Sequence, residues 1–444
     1  MEQLLDKRDC ITNKICLADI FYKSIKQKSD FKVGVEFEKL GVDKDNFHAI
    51  KYFDDRGGVE FLKQFKNLDN YSEITENGYL LGFKGEIGDI TIEPGSQIEF
   101  SAKPFKRLQD VEYAILDFNK KTSLIGEKLG INWIGAGIQP LSTFENIQII
   151  PKARYDIMKR YLPQKGSKSP VMMLETAGTQ TSIDFSSEED AMRKLRISLG
   201  ISPIITAMFA NSPIRGGKLS GYKSYRALGW LDTDDDRCGL ISRDIFEKKF
   251  GFTDYVDVLL DVPMFFIQRE NRLIDMTGMT FREYLKHGYR EFSADMDDWF
   301  LHMTTFFPDV RMKNYLEIRN CDCQKTDLAM AFPALVKGLM YNEDALAQVE
   351  EIVDSLSWQE LNELRCQVPK HGLDLEFKGF RLADIARELI SIAEYSLQEE
   401  NEAIYLEKIK ELVMQGKTPA DVIIENWNSS WNGDIRKFIE YAKF

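Results

Sequence analysis

Cysteine and histidine are scarce in this sequence, and long apolar runs are missing. The 444 residues include six cysteines and four histidines. Cys10, Cys16, Cys238, Cys321, Cys323 and Cys366 are too sparse for a disulfide framework. Cys321 and Cys323 form a C-x-C pair, but no second pair lies near it, so two ordinary reduced thiols are the plainer reading. No apolar run reaches about 18 residues, so no transmembrane helix is expected. The opening MEQLLDKRDCITNK is charged and lacks the apolar centre of a signal peptide. A cytoplasmic protein without membrane contact is the expectation. Positive charge is also in deficit: 58 basic against 71 acidic residues give a net charge of -13. That repels nucleic acid, so no nucleic-acid partner is expected, although a local basic pocket could still hold phosphate. Walker A, Rossmann and kinase signatures are absent, so any nucleotide is held in another way.

No repeat, low-complexity tract or Pro/Gly/Ser-rich linker divides the chain. Residues 1–444 therefore read as a single unit. It has a helical lead over 1–30, a mixed strand and helix core over 31–335, and a helical region over 336–444. LADIARELISIAEYSL (382–397) sets Leu382, Ile385, Ala386, Leu389, Ala393 and Leu397 on one helical side. Over 185–213 a second helix is expected. Ser186 and Glu189 would form its capping box, and Pro203 would bend or divide it. Strands and helices without regular βαβ alternation predict an α+β fold with a mainly antiparallel sheet.

Four strand candidates each carry one polar face. In VGVEFEKLG (33–41), Val33, Val35 and Phe37 alternate with Glu36 and Glu38. In EPGSQIEFSAKP (93–104), Ile98 and Phe100 alternate with Gln97, Glu99 and Ser101, and Glu93 precedes a Pro-Gly turn. In TQTSIDF (179–185), Gln180, Ser182 and Asp184 alternate with Ile183 and Phe185. In YLEIRNCD (315–322), Glu317 and Arg319 alternate with Leu316 and Ile318. A sheet with one face in water would give this pattern with no function at all. Two features favour a site. Glu36 and Glu38 are like charges roughly 7 Å apart on one face. The polar positions are also mostly carboxylates and amides, the oxygen donors that Mg²⁺ takes. Several such strands could hold two or three ions for phosphoryl transfer.

Arg154, Arg226, Arg237 and Arg319 are the candidates for binding carboxylate or phosphate, because the guanidinium fork pairs with both. The commoner fate of an arginine is a structural ion pair. DTDDDR (232–237) lacks the Gly and Glu positions of an EF-hand. His302 reads as structural.

These segments together resemble glutamate–cysteine ligase of the plant and proteobacterial type. The resemblance rests on VGVEFEKLG, EPGSQIEFSAKP, PKARYDIMKRYLP, TQTSIDFSSEEDAMRKLR, MFANSPIRGGKLSGYKSYR, WLDTDDDRCGL, YVDVLLDVPMFF, TGMTFREYL, HMTTFFPDVRMKNYLEIR and the tail from Gly416, all in the same order. It implies a curved antiparallel sheet akin to that of glutamine synthetase. It also implies an ATP- and Mg²⁺-dependent joining of the L-glutamate γ-carboxylate to the amino group of L-cysteine through an acyl phosphate, in a monomer or homodimer. Carried over by position, Glu36, Glu38, Glu93, Glu99 and Glu317 look like the metal shell, with Gln180 beside it. Arg319 would steady the transferred phosphoryl group, and Arg154 and Arg226 would hold the glutamate α-carboxylate or the phosphates. Arg237 would join the substrate or ATP contacts, and Trp230 and Phe265 would wall the amino-acid pockets. Glu175, Ser182 and Phe265 depart from the family pattern, which leaves a different acceptor amine as the alternative. A phosphotransferase that stops at the phosphorylated carboxylate and a silent scaffold are the other readings.

Overall fold

Nine strands form the sheet around which the chain is built. They are β1 (Val33–Asp43), β2 (Ser72–Glu76), β3 (Tyr79–Lys84), β4 (Gly88–Ile92), β5 (Ile98–Ala102), β6 (Ile131–Ile134), β7 (Gly178–Ile183), β8 (Val310–Met312) and β9 (Leu316–Asp322). Their order is β8-β9-β7-β1-β5-β4-β3-β2, and every neighbouring pair is antiparallel. The long β1 pairs with β5 through Lys39 and then with β6 from Leu40 onward. Changing partners in this way lets a sheet turn a corner. The computed structural model describes residues 11, 14–66, 68, 71–246, 249–270 and 272–444. Residues 1–10, Cys10 among them, and residues 12 and 13 of the expected helical lead lie outside the described residues, and within the rest a helix is present at Lys14–Lys23.

The expected α+β class with a mainly antiparallel sheet is what the structure has. Alternation in β1 buries Val33, Val35 and Phe37 on one face. Helices cover that face: Leu108–Leu129 against β1 and β5, Ala331–Met340 against β7, and Glu188–Met208 against β9. Phe100 of β5 stacks on Phe118 at 4.9 Å. Burying a side chain of this size contributes about 1.5–3 kcal/mol. One connected apolar core runs from Ile11 to Ala442.

Two local expectations are corrected. The helix starts at Glu188, and its cap is Ser187, whose hydroxyl accepts from the Asp190 N–H, rather than Ser186. Pro203 does not divide it. Proline removes the N–H that Leu199 would otherwise receive, and the Ser202 hydroxyl donates to that carbonyl instead at 2.9 Å. The C-terminal region also departs from all-helix. It contains the small hairpin Glu376–Phe377 and Phe380–Arg381, and its end returns to the sheet, where the Phe444 N–H donates to Trp133.

Candidate active site

The pattern that buries Val35 and Phe37 turns Glu36 and Glu38 to the opposite face. Register then assembles the acids. Glu38 stands directly across from Glu99, and Glu36 stands between Ser101 and Gln180. Glu93 ends the β4 side, and its carboxylate accepts from the Tyr155 hydroxyl at 3.0 Å. Glu99 accepts from the Thr91 and Ser101 hydroxyls at 3.2 Å. Glu38 accepts from the Gly178 N–H. Among the described residues, no lysine or arginine forms an ion pair with Glu36, Glu38, Glu93 or Glu99.

Charges this close are costly. Two carboxylates about 5 Å apart repel by about 3 kcal/mol at an effective dielectric of 20. Burial raises the Glu36 carboxyl, and Glu317 raises it further. Burial and Glu93 push Glu38 up to about 7, against the pull of Arg226. Burial drives Glu99 well above the usual range, with Glu36, Glu93 and Glu38 adding to it. An oxygen-only, negatively charged face fits hard divalent cations, which would relieve this repulsion. As arranged, no three acidic, histidine or cysteine side chains of the described residues already close on one point as a ligand group.

The other half of the face is cationic. Glu317 of β9 is fully buried among Arg311 at 2.7 Å, Lys313 at 2.8 Å and Arg319 at 3.0 Å. Burial opposes its charge, yet these three cations hold it well below the ordinary carboxylate range. Glu317 was expected in the metal shell. Here it is an already neutralised anchor for three cations, unlike the other four acids. Arg319 also donates to the Gln180 carbonyl oxygen, which places Gln180 between the two halves.

Arg226 lies buried behind this pair. Its Nη2 donates to the Arg319 carbonyl at 3.0 Å, and Asp322 lies 3.8 Å from its Nη1. Asp322 in turn accepts from the Ser212 and Ser224 hydroxyls at 2.6 and 2.9 Å. A Cβ at Gly178 would stand 2.5 Å from the Arg226 guanidinium and push it aside. Arg154 is half-buried, donates to the Thr304 hydroxyl at 3.1 Å and lies 5.4 Å from the centre of the Phe266 ring. Trp230 lies 5.8 Å from the Arg319 guanidinium and lines a small cavity with Arg226, Phe307, Asn320 and Arg365. Its indole N–H has no hydrogen-bond partner among the described residues.

Two expected residues do not face the site. Arg237 is fully buried, with its donors on Asp234 at 2.6 Å, Thr305 O at 3.0 Å and Pro263 O at 2.9 Å. Phe265 is 1% exposed, stacked on Arg237 at 3.9 Å and edge-on to Tyr161 at 5.4 Å. Both are internal supports rather than pocket walls. Cys321 and Cys323 are buried thiols, and burial lowers the His302 pKa to about 4.

Glu175 is also internal. Both of its oxygens take Arg215 at 2.6 Å, and it accepts the Phe144 N–H at 2.8 Å. Burial raises this carboxyl even so. Arg215→Ala should therefore destabilise the fold by about 3 kcal/mol in urea unfolding, because it strands a buried carboxylate. A loss under about 1 kcal/mol would contradict the pairing.

Sequence reading missed Arg311, Lys313 and Tyr155. The signal was present: Arg311 and Lys313 alternate with the buried Val310 and Met312, the same period-two pattern that exposed the acids. Tyr155 sits on the helix Ala153–Tyr161, and nothing local reveals its reach to Glu93.

The sequence model of glutamate-cysteine ligase family 2 matches residues 32–441. The chain is 36% identical over 420 residues to the chloroplastic glutamate–cysteine ligase of Arabidopsis thaliana, covering 94% of this chain and 80% of that protein. It is 35% identical over 415 residues to the chloroplastic glutamate–cysteine ligase B of Oryza sativa subsp. japonica, covering 92% and 83%. In fold it is similar to the crystal structure of the Francisella tularensis glutamate–cysteine ligase in complex with AMP. That match has a TM-score of 0.53 at 13% identity and covers 93% of this chain and 87% of that one. With a family model matched over nearly its whole length, the chain belongs to glutamate-cysteine ligase family 2.

Proposed function

We propose that the divided polar face carries out the family's reaction, the ATP-dependent formation of γ-glutamylcysteine that begins glutathione synthesis. The observation that carries this is the split itself: four unpaired carboxylates on β1, β4–β5 and their turn, beside a cationic cluster on β8–β9. Glu36, Glu38, Glu93 and Glu99 would hold two or three Mg²⁺ ions, with Glu317, already paired with three cations, beside them. Bound Mg²⁺ supplies charge neutralisation for the polyphosphate.

The chemistry balances without a side-chain nucleophile. A γ-carboxylate oxygen of glutamate attacks the γ-phosphorus of ATP, and the bond to the bridging oxygen breaks with its electron pair leaving on ADP. The cysteine amine then attacks the acyl carbon. The C–O bond to phosphate breaks, phosphate takes the pair, and the amine loses a proton to solvent. Arg319, held by Gln180, Glu317 and the Arg226 prop, faces the phosphoryl group, where negative charge needs fixed positive partners. Arg154 receives the glutamate α-carboxylate, and Trp230 walls the neighbouring pocket.

Glu175 no longer favours a different amine, since Arg215 closes off both its oxygens. A reducing compartment, the cytoplasm by the sequence reading, and one catalytic unit over 1–444 belong to the same proposal. ADP release by the purified protein with Mg²⁺, ATP and glutamate, across a panel of amines, tests the reading. It should be strong with cysteine and weak with the others. Release without any amine at the same rate would instead mean a phosphotransferase.

A further inference from the structure

The cluster on β8–β9 holds more positive charge than its carboxylate can match. Three cations pair with Glu317 itself, and among the described residues Glu36 is the one further carboxylate that acts on all three. The members differ in how free they are. Arg311 is buried and committed, with Nε on Glu317 at 2.8 Å and Nη1 on the carbonyls of Thr304 and Phe306 at 3.1 and 3.0 Å. Lys313 follows β8 in the turn to β9, with its side chain 20% exposed and its amine on Glu317 at 2.8 Å. An ammonium has three donors on a flexible stem, so this one can keep Glu317 and still reach a ligand. Glu36 feels the charge of Lys313, as it does those of Arg311 and Arg319, so the cationic half acts on the neighbouring acids.

We propose that Lys313 contacts the transferred γ-phosphoryl group together with Arg319, while Arg311 only fixes Glu317. This rests on the acyl-phosphate reading above. During transfer the phosphoryl oxygens carry negative charge between the leaving ADP and the incoming carboxylate, and Lys313 supplies a second positive partner.

The test is oxygen scrambling, between the β,γ-bridge and the β-nonbridge positions of ¹⁸O-labelled ATP, with Mg²⁺ and glutamate but no cysteine. Wild type should scramble. Lys313→Met should scramble about a hundredfold more slowly, and Lys313→Arg should recover to within about tenfold of wild type. Scrambling by Lys313→Met at the wild-type rate would overturn the proposal. A wild type that makes product without passing ¹⁸O from the glutamate γ-carboxylate to phosphate would instead defeat the acyl-phosphate reading, and this proposal with it. A second measurement needs no variant: amine-reactive labelling of Lys313, read by mass spectrometry. Mg²⁺-ATP should protect it and glutamate alone should not. Equal labelling with and without Mg²⁺-ATP would contradict the contact.

Discussion

Glu99→Gln should nearly stop turnover while making the metal-free protein more stable. The two effects share one cause. Glu99 faces Glu38 across the β1–β5 ladder with only hydroxyl partners, and its carboxyl is pushed well above its usual range by burial and by Glu36, Glu93 and Glu38. Glutamine keeps the shape and removes the charge. The loss of one cation-holding oxygen charge should lower turnover by roughly a hundredfold to a thousandfold. The loss of repulsion should raise the metal-free melting temperature by about 2 °C or more. A buried carboxylate that merely held the fold together would do the reverse on melting. Unchanged turnover at ordinary Mg²⁺ levels would remove Glu99 from the site.

The same electrostatics set a pH dependence for the metal-free protein. A carboxyl whose pKa is higher in the fold than in the open chain binds extra protons when folded, so stability falls as pH rises. For Glu38 the window runs from the ordinary 4.5 to about 7. Thermal melts without divalent cation should therefore shift downward across that window, and added Mg²⁺ should flatten the trend. A melting temperature rising over the same window would contradict the assigned burial of these acids.

Arg319→Lys is the second large expected effect. The substitution keeps the charge, so any loss measures geometry. One guanidinium nitrogen serves both Gln180 and Glu317, and the guanidinium carbon lies 5.8 Å from the centre of the Trp230 ring. A lysine amine on a thinner stem cannot hold that plane or present a fork to phosphate. Turnover should fall by about a hundredfold, with the KM values for glutamate and ATP moving by less than about threefold. A variant within about threefold of wild-type turnover would reduce Arg319 to a bystander.

The acidic half of the site was legible in the sequence because strand alternation is a local property. The pattern VEFEK puts Glu36 and Glu38 on one face whatever surrounds them, and IEFSA does the same for Glu99. Register was not legible. That Glu38 meets Glu99, or that Gln180 meets Glu36, depends on pairings between segments far apart in the chain. The arginines were harder still, because a guanidinium carries its charge several bonds from the backbone. Arg237 and Arg319 look alike in sequence, but one is enclosed by Asp234, Thr305 and Pro263 and the other reaches the site. Phe265 shows the same limit: its partner Arg237 draws it inward. Pro203 stayed inside its helix because Ser202 replaced the missing donor, a compensation visible only once the helix is built.

The most direct test of the account follows an oxygen atom. Glutamate labelled with ¹⁸O in its γ-carboxylate is turned over with ATP, Mg²⁺ and cysteine, and the released phosphate is analysed by mass. Transfer through an acyl phosphate predicts one labelled oxygen in each phosphate released. Phosphate free of label, formed alongside γ-glutamylcysteine, would contradict the proposed role of this sheet face.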